Sequence, residues 1–254
     1  MRKSFTPLIL CFFATAAVAQ APQANTVCQI VVNKVKAGMT TQYEQGRAKH
    51  MAWHKSQNDT WSWAVWEILS GDGTGDYIVG SCGHAWKDFD GRDKFEAADT
   101  VNANATMGAS LGAETVGYYV QRADIAPPPA ESPNPPAYLQ ITHFYVKPEA
   151  VNDFTDGIKK INAGMQKTNY PQPRSSWYSL ANGGRGPHFV LVTERNSISE
   201  MQAPPKSLDQ MMQEAYGDQG ATIMSNLRKA YHYSESELLK FRSDLSYMPA
   251  PPKK

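Results

Sequence analysis

The pattern of apolar and polar positions changes its period along the chain and predicts alternating strands and helices. β-Branched and aromatic residues fill 27–35, which predicts a strand, and a helical pattern over about 40–56 follows. Two apolar runs flank the turn "SGDGTGD" at 70–76, which predicts a hairpin. A second helix at about 91–111 and a last strand at about 115–123 complete the order βαββαβ.

The same order is written a second time. "VKAGMTTQYEQG" at 35–46 aligns without a gap with "VKPEAVNDFTDG" at 146–157. The offset of 111 here is 112 between 76–89 and 188–201 and 120 near the chain end, so about eight residues are added in the second copy after 201, and we place them near 202–207. The second copy is predicted to contain a strand at 138–146, a helix at 150–167, a helix at 207–230 and a strand at 235–244.

This element order is that of a ferredoxin-like unit, in which four strands in the order 4-1-3-2 carry both helices on one face. The bare face of such a sheet must be buried, and the second copy is the available partner. In "WSWAVW", Trp61, Trp63 and Val65 point to one face, and Ala64 and Trp66 point to the other. We therefore predict an α+β fold of two ferredoxin-like βαββαβ units packed sheet to sheet as a pseudo-dimeric α/β barrel.

Proline-rich segments and the pattern at the start of the chain define the expected domain boundaries. The start has a basic pair, an apolar run and a small-residue exit at Ala17 to Ala19, which indicates a secretory signal cleaved after Ala19. A membrane anchor is the weaker alternative, because the run is shorter than the roughly 20 residues that span a bilayer. The predicted segments are a signal peptide (1–19), a first unit (20–124), a linker (125–137), a second unit (138–247) and a disordered tail (248–254).

The charge and the cysteine content limit the expected binding partners and the expected compartment. Removing Arg2 and Lys3 changes the formal net charge from +1 to −1, which excludes a strong electrostatic footprint for nucleic acid or an anionic membrane. Cys28 and Cys82 are then the two thiols of a periplasmic or secreted protein. Strands 1 and 3 are antiparallel neighbours in the order 4-1-3-2, so we expect a disulfide between them, with two unpaired buried thiols as the alternative.

Beyond its element order and duplication, the chain carries "GHAWKDFD" at the entry to the second helix. With these features it resembles the dimeric α/β-barrel superfamily, which includes antibiotic-biosynthesis monooxygenase-like, NIPSNAP-like and EthD-like proteins. The resemblance covers nearly all of the predicted mature chain and implies a substrate or haem cleft between helix and sheet. Asn33 and Trp86 resemble residues of haem-degrading members. The haem-ligating histidine of those members has no counterpart between Arg92 and Leu111.

The first predicted helix carries the most informative difference between the copies. At its sheet-facing positions the second copy has Phe154, Ile158, Ile161 and Met165, which form an ordinary apolar stripe. The first copy has polar and cationic groups instead, and we call these four residues the polar stripe: Tyr43, Arg47, His50 and His54. Buried polar groups require partners, so the substitution needs its own explanation.

Three explanations are open. A small-molecule pocket fits best, and its predicted lining is Tyr43, Arg47, His50, Trp53, His54, Trp63 and Trp66. A purely structural role would have both histidines bonded to backbone or to Glu67. A metal would use the i, i+4 histidines with His84 or an acidic residue as third ligand, but no metal-type spacing supplies it, so we predict no metal and no cofactor.

For chemistry, His50 or His54 is the candidate general base and Arg47 the candidate holder of an anionic oxygen. No catalytic nucleophile constellation accompanies these residues. We therefore expect a protein that binds, and as a further option transforms, a small aromatic or lipid-like molecule. A non-catalytic structural or interaction module and a monooxygenase-like enzyme are the alternatives. We expect a monomer, as an intramolecular pseudo-dimer, or a weak homo-oligomer.

Overall fold

The computed structural model describes residues 26–130, 132 and 135–249. The predicted signal peptide, its cleavage after Ala19 and the last residues of the predicted tail lie outside this range. Within the described part of the chain, no helix is both long enough and apolar enough to cross a membrane.

Eight strands and five α-helices follow one another along the described chain in the predicted order. The first half contains β1 (Val27–Val35), α1 (Thr40–Ser56), β2 (Ala64–Ser70), β3 (Tyr77–His84), α2 (Asp93–Met107) and β4 (Leu111–Gln121). The second half contains β5 (Tyr138–Val146), α3 (Val151–Lys167), β6 (Ser175–Asn182), β7 (His188–Arg195), α4 (Leu208–Tyr216), α5 (Asp218–Lys229) and β8 (Tyr231–Phe241).

The second helix of the second copy corrects the sequence prediction. The single helix expected over 207–230 is two helices, because Gly217 has a φ of 57° and ends α4 before α5 begins. The corresponding α2 has 15 residues, whereas α4 and α5 have 9 and 12. Most of the added length therefore lies in helices, and only part of it lies in the loop at 202–207.

The strands form one closed barrel in the order β1-β3-β2-β8-β5-β7-β6-β4. Each half contributes its four strands in the predicted order 4-1-3-2, because the first strand lies between the fourth and the third. The halves meet edge to edge, where β2 pairs antiparallel with β8 and β4 pairs antiparallel with β6. Closure of the barrel leaves helices outside and apolar side chains inside.

The buried side chains form three clusters on the two faces of the barrel wall. Trp61, Trp63 and Val65 belong to the cluster under α1 and α2. Trp66 and Ile68 point to the opposite face and pack inside the barrel. The predicted burial of both faces of "WSWAVW" is therefore confirmed. The third cluster lies under the helices of the second half and includes Phe154, Ile158, Ile161, Met211 and Met212.

The predicted disulfide is present between β1 and β3. Cys28 lies directly opposite Cys82 in the antiparallel register, and their Cα atoms are 4.0 Å apart. The alternative of two unpaired thiols is therefore wrong for this structure. The bond joins positions 54 residues apart and fixes the two strands at one end of the first half.

A short segment after each half packs on the other half. We call 242–247 the C-terminal clasp. It pairs Tyr247 with Trp63 by backbone hydrogen bonds of 2.7 and 3.0 Å and buries Leu245 in the first-half cluster. We call 122–126 the central clasp; it buries Ile125 in the second-half cluster. Each half is thus completed by residues that follow the last strand of its partner.

Candidate functional site

The polar stripe of α1 faces the barrel wall and is buried. His50 is 3% exposed and His54 is 1% exposed, although both side chains carry polar nitrogens. One helical turn separates them, so both imidazoles project from the same face. Tyr43 and Arg47 lie on the same face, at 0% and 5% exposure. The helix therefore places four polar side chains where α3 places apolar ones.

Two histidine nitrogens and one carboxylate oxygen converge between α1 and α2. The Nε2 atoms of His50 and His54 are 3.2 Å apart, and each lies 3.1 Å from Oδ1 of Asp99 on α2. We call these three atoms the three-donor cluster. The Oδ1 atom of Asp99 is buried and has no hydrogen bond of acceptable geometry, despite its two close nitrogen neighbours. The lone pairs of Asp99 Oδ1 are therefore without a hydrogen-bond donor among the described residues.

The other nitrogen of each ring is held by a second partner. Nδ1 of His50 lies 2.8 Å from Oδ1 of Asn102, and Nδ1 of His54 lies 2.9 Å from Oδ2 of Asp59. The carboxylate of Asp59 also accepts hydrogen bonds from Nε1 of Trp63 and Nη1 of Arg92, at 2.9 and 3.0 Å. Because a carboxylate only accepts, His54 donates through Nδ1.

The electrostatics of the site favour ionised carboxylates. Burial raises the pKa of Asp59, but the hydrogen bonds from His54, Arg92 and Trp63 outweigh it and hold the pKa well below its usual range. Burial also raises the pKa of Asp99, and there the two histidines outweigh it in the same direction. Burial lowers the pKa of His54, yet the hydrogen bond to Asp59 and the nearby carboxylate of Asp99 leave the pKa raised.

Arg47 is the unpaired cation of the site. Its guanidinium is buried, its Nε atom has no hydrogen-bond partner, and it forms no ion pair within the described residues. Burial lowers the pKa of Arg47, and its interactions with Tyr43 and with the carboxylates of Asp99 and Glu114 act against that shift at longer range. A buried cation without a direct partner is costly unless something else satisfies it.

A cavity of about 380 Å³ lies between the helices of the first half and the strands β1 and β4. Its wall includes Gln29, Arg47, His50, His54, Trp63 and Asp99. The cavity thus joins the unpaired guanidinium to the three-donor cluster in one space. Its wall also contains Glu114 of β4, whose pKa is raised by burial although Arg47 acts in the opposite direction.

The structure brings together some of the predicted pocket residues and separates others. Tyr43 is a core residue: its hydroxyl accepts a 3.0 Å bond from Asn33, and its ring centroid lies 4.7 Å from that of Tyr77. Trp53 stacks on His50 with ring centroids 5.9 Å apart, but neither Trp53 nor Tyr43 is among the residues that line the cavity. Trp66 lies inside the barrel, because successive residues of β2 point to opposite faces, so it does not join the histidines.

Sequence reasoning missed the residues that hold the histidines. Glu67, the suggested carboxylate, instead accepts a 3.1 Å bond from Arg242. His84, a suggested third ligand, bonds Ser81 at 2.8 Å and stacks on Trp61. The partners are Asp59, Asp99 and Asn102, and Arg92 in turn holds Asp59. The i, i+3 pair Asp99 and Asn102 on one face of α2 was the available signal.

The residues of the site do not fit the haem that the superfamily resemblance implies. Helix α2 contains no histidine. Haem iron is already bound by four porphyrin nitrogens and takes protein ligands only at axial positions. Three donors within 3.2 Å of one another match a small cation, not an axial ligand. Trp86, a suggested counterpart, is 38% exposed and packs near Phe89 and Tyr118.

A second cavity, of about 530 Å³, occupies the interior of the barrel. Trp66, Ile141 and Leu239 contribute apolar wall, and His143 lies in the same wall. Nδ1 of His143 is 3.0 Å from Nε2 of His188. This histidine pair has an acidic neighbour only at longer range, since Nε2 of His143 lies 3.7 Å from Oε2 of Glu237. It provides a natural comparison for the pair on α1.

Comparison with known proteins identifies the fold and nothing closer. No protein-family model and no curated protein matches the sequence. An anthrone oxidase-like protein has a similar structure at TM-score 0.52 and 12% identity, over 86% of this chain and 92% of that one. A candidate monooxygenase from Lactobacillus acidophilus NCFM is similar at TM-score 0.53 and 8% identity, over 89% and 97%.

A mutant chlorite dismutase from Candidatus Nitrospira defluvii, in complex with cyanide, is also similar. Its TM-score is 0.51 and its identity 11%, over 88% of this chain and 93% of that one. At such identities the likenesses show a shared fold alone. They agree with the predicted fold, an α/β barrel built from two ferredoxin-like halves, and show nothing finer.

Proposed function

We propose that the first half binds a small aromatic molecule carrying an anionic oxygen in the cavity between its helices and strands. The observation that carries this proposal is the buried guanidinium of Arg47, which lines the cavity and lacks an ion-pair partner among the described residues. An anionic ligand oxygen would supply the missing charge and hydrogen-bond acceptor. A cavity with a few converging polar groups and an aromatic wall is typical of small-molecule sites.

The second half supports the assignment by contrast. Phe154, Ile158 and Ile161 occupy the aligned positions of α3 and fill the space under that helix with apolar side chains. A half that needs only stability keeps such a stripe. The polar stripe of α1 is therefore a departure that the fold itself does not require, and ligand binding explains it.

Calorimetry with two matched probes tests the proposal. Salicylate carries a carboxylate and salicylamide is its neutral analogue, so a site built around Arg47 should favour salicylate. We expect Arg47→Met to weaken salicylate binding at least tenfold and to leave salicylamide unchanged, since ion-paired hydrogen bonds are the strong ones. Arg174→Met, at an exposed pair with Glu194, is the control. Equal loss of both probes, or of neither, would contradict the role of Arg47.

Oxidation of the bound molecule is the second candidate function, favoured by the shared fold with an anthrone oxidase-like protein and with candidate monooxygenases. In the simplest balanced reaction, an activated CH₂ group and O₂ give C=O and water. Both hydrogens leave in the water with one oxygen atom, and the other oxygen enters the product. With anthrone as the probe, one O₂ should be consumed per anthraquinone formed. If the rate of O₂ uptake does not exceed the rate without protein, the oxidase function is wrong, whereas the binding proposal is unaffected.

A non-catalytic structural module is the remaining alternative. Replacing His50 and His54 together by alanine separates the two classes. A ligand site predicts lost or altered probe binding in a protein that still folds. A structural module predicts a large loss of stability with unchanged binding, because buried partners such as Asp59 lose their bonds.

We infer that the protein is exported and processed after Ala19. The Cys28–Cys82 disulfide supports this, because such bonds persist in oxidising compartments. Mass spectrometry of unreduced periplasmic protein should give a chain that begins at Gln20 and carries no free thiol. A chain that retains residues 1–19, or two free thiols, would contradict it.

We further infer that the barrel is a pseudo-dimer that arose by duplication within the dimeric α/β-barrel superfamily. Matching strand order in the two halves and two edge-to-edge joints support this. Because both joints are made within one chain, the protein is expected to be a monomer. Sedimentation equilibrium at micromolar concentration should give the mass of one chain; the mass of two would oppose it.

A further inference from the structure

We propose that the three-donor cluster of His50, His54 and Asp99 binds one divalent first-row transition-metal ion of the Zn²⁺ or Fe²⁺ type. The inference stands on different atoms from the ligand proposal, which rests on Arg47. It also replaces the sequence prediction of no metal, because the tertiary structure supplies the third donor that spacing along the chain did not.

The separations within the cluster match a coordination sphere. Metal–nitrogen bonds of about 2.0–2.1 Å place neighbouring donors roughly 3.4 Å apart in a tetrahedral site and roughly 2.9 Å apart in an octahedral one. The observed distances of 3.1 Å from Asp99 Oδ1 to each histidine and 3.2 Å between the histidines lie between these limits. The spacing of the three atoms is therefore compatible with one ion at normal bond lengths.

Protonation of the rings gives the second argument. Nδ1 of His54 donates to the carboxylate of Asp59, and Nδ1 of His50 faces the amide oxygen of Asn102. In a neutral ring with its proton on Nδ1, the Nε2 atom carries a lone pair. Two lone pairs and a carboxylate oxygen then face one another. A single proton satisfies only one of these contacts well, whereas a cation satisfies all three.

The orphaned oxygen of Asp99 supports the cation over the proton. Oδ1 is buried and lies 3.1 Å from two nitrogens, yet neither approach has hydrogen-bond geometry. Buried polar atoms without partners are uncommon and call for an unseen water or ion. A metal ion can approach a carboxylate oxygen from a wider range of directions than an N–H group can, because the N–H bond must also point at the oxygen.

The surroundings are those of a supported metal site. Histidine ligands usually donate their second ring N–H to a carboxylate or carbonyl, which fixes the ring and its tautomer. Asp59 accepts this bond from His54, and Arg92 and Trp63 in turn donate to Asp59. The cluster opens on the 380 Å³ cavity, so the remaining coordination positions are available to water or to a bound molecule. Two histidines and one carboxylate with open positions are typical of catalytic zinc and non-haem iron(II) sites.

Cobalt(II) is the probe for the experiment, because it substitutes for both metals and absorbs visible light when bound by nitrogen. Full-length processed protein is freed of metal with a chelator and titrated with Co²⁺. We expect one equivalent to bind with a visible d–d spectrum, and Zn²⁺ to displace it. A nitrogen NMR experiment should show the Nε2 signals of His50 and His54, and not their Nδ1 signals, shifting on zinc addition.

Variants separate the cluster from other histidines. Asp99→Asn should weaken Co²⁺ binding at least tenfold, and Asp59→Asn should weaken it by roughly 10–100-fold through loss of ring support. His188→Gln, in the comparable pair inside the barrel, should leave binding unchanged. Circular dichroism of each variant confirms that it folds. Should a variant fail to fold, the wild-type stoichiometry and the Nε2 shifts still decide the matter.

Three outcomes would overturn the metal site. These are absence of Co²⁺ binding by the wild type, binding undiminished in Asp99→Asn, or nitrogen shifts that show a proton retained on Nε2 in the presence of zinc. The last result would assign the cluster to a hydrogen-bonded histidine pair. Salicylate binding by metal-free and metal-loaded protein keeps the two proposals apart. If the protein binds salicylate but no metal, only the metal proposal is wrong. If it binds metal but no salicylate, only the Arg47 proposal is wrong.

Discussion

At the scale of single residues, Asp59 organises the site although it lies outside the helices. Its carboxylate accepts hydrogen bonds from His54, Trp63 and Arg92 and from the backbone N–H of Trp61, and its side chain is 1% exposed. It neutralises the half-buried guanidinium of Arg92 and fixes the imidazole of His54. Removing its charge leaves the guanidinium of Arg92 without its main buried partner.

We therefore expect Asp59→Asn to lower the free energy of unfolding by about 3–5 kcal/mol, the usual cost of breaking a buried ion pair from one side. Asp209→Asn is the matched control, since Asp209 forms an exposed pair with Arg228 at 2.6 Å. Exposed pairs contribute about 0–1 kcal/mol. Urea unfolding of both variants measures the difference, and equal losses would show that Asp59 has no special role in stability.

His188 predicts how stability responds to acid. Burial, and then repulsion from His143, lowers the pKa of His188 to about 4. Its other close neighbours are the rings of Tyr119 and Tyr145. The unfolded chain takes up a proton near pH 6.5, but the folded chain does not until about pH 4. Stability should therefore fall as the pH drops through this window and should be unaffected above it.

The full shift corresponds to roughly 3 kcal/mol at most, at about 1.4 kcal/mol per pKa unit. Urea unfolding at pH 7 and pH 5 measures the part of this loss that falls above pH 5, roughly 2 kcal/mol. His188→Gln should lose less stability between these pH values than the wild type, whereas the exposed His232→Gln should behave as the wild type. If His188→Gln loses as much stability between pH 7 and pH 5 as the wild type does, His188 is not the cause of the pH dependence.

At the scale of elements, α1 and α2 approach so closely that one glycine decides their spacing. A Cβ atom at Gly46 would collide with the backbone carbonyl of Thr106 near the end of α2. The aligned Gly157 of α3 instead faces the flexible side chain of Leu227, at 3.0 Å from its Cδ1. The same residue type at aligned positions is thus required in one half and tolerant in the other.

Gly46→Ala should destabilise the protein by about 1–3 kcal/mol, because backbone must shift to relieve the collision. Gly157→Ala should cost less, because Leu227 can move and alanine gains about 1 kcal/mol of helix propensity over glycine. Thermal unfolding of the pair checks the contrast. A larger loss in Gly157→Ala than in Gly46→Ala would contradict the packing argument.

The elements were predictable because their signals are local. Periodicity placed β1 at 27–35 and α1 at 40–56, and the repeat carried the same positions into the second half. The break at Gly217 was missed, since a glycine within a helical pattern does not by itself reveal a positive φ.

The candidate site was predictable only from the α1 side. The polar stripe stood out against its apolar counterpart, but Asp59 follows the helix in a loop and Asp99 lies on another helix. Their meeting depends on how α1 and α2 pack, which no single-sequence pattern encodes. Trp66 was misplaced for a simpler reason. Its neighbour Trp63 does line the helix-side cavity, and two residues an odd number of positions apart in a strand point to opposite faces.

At the scale of the whole molecule, the C-terminal clasp belongs structurally to the first half. Besides the Trp63–Tyr247 pairing, the hydroxyl of Tyr247 donates to the backbone oxygen of Asp59, and Oγ of Ser246 accepts from the backbone N–H of Val65. The last residues of the second half therefore hold the loop that carries Asp59.

A chain that stops after Phe241 should lose order in the first half before the second. Amide exchange should accelerate in α1 and remain slow in α3, because residues 243–245 of the clasp pack against α1. A chain that stops after Pro249 keeps the clasp and serves as the control. Faster exchange in both helices alike would show that the clasp stabilises the molecule as a whole.

The central clasp has a reciprocal role in the second half, where the backbone N–H of Arg122 donates to the oxygen of Trp177 and the oxygen of Ile125 accepts from Asn162. Consequently, the two strand joints and the two clasps hold the halves together independently of the covalent connection through 127–137. A protease cut within 127–137 should give two fragments that still migrate as one particle under native conditions. The connection then acts as a tether that raises the local concentration of each half for the other, and its loss would be felt only on dilution.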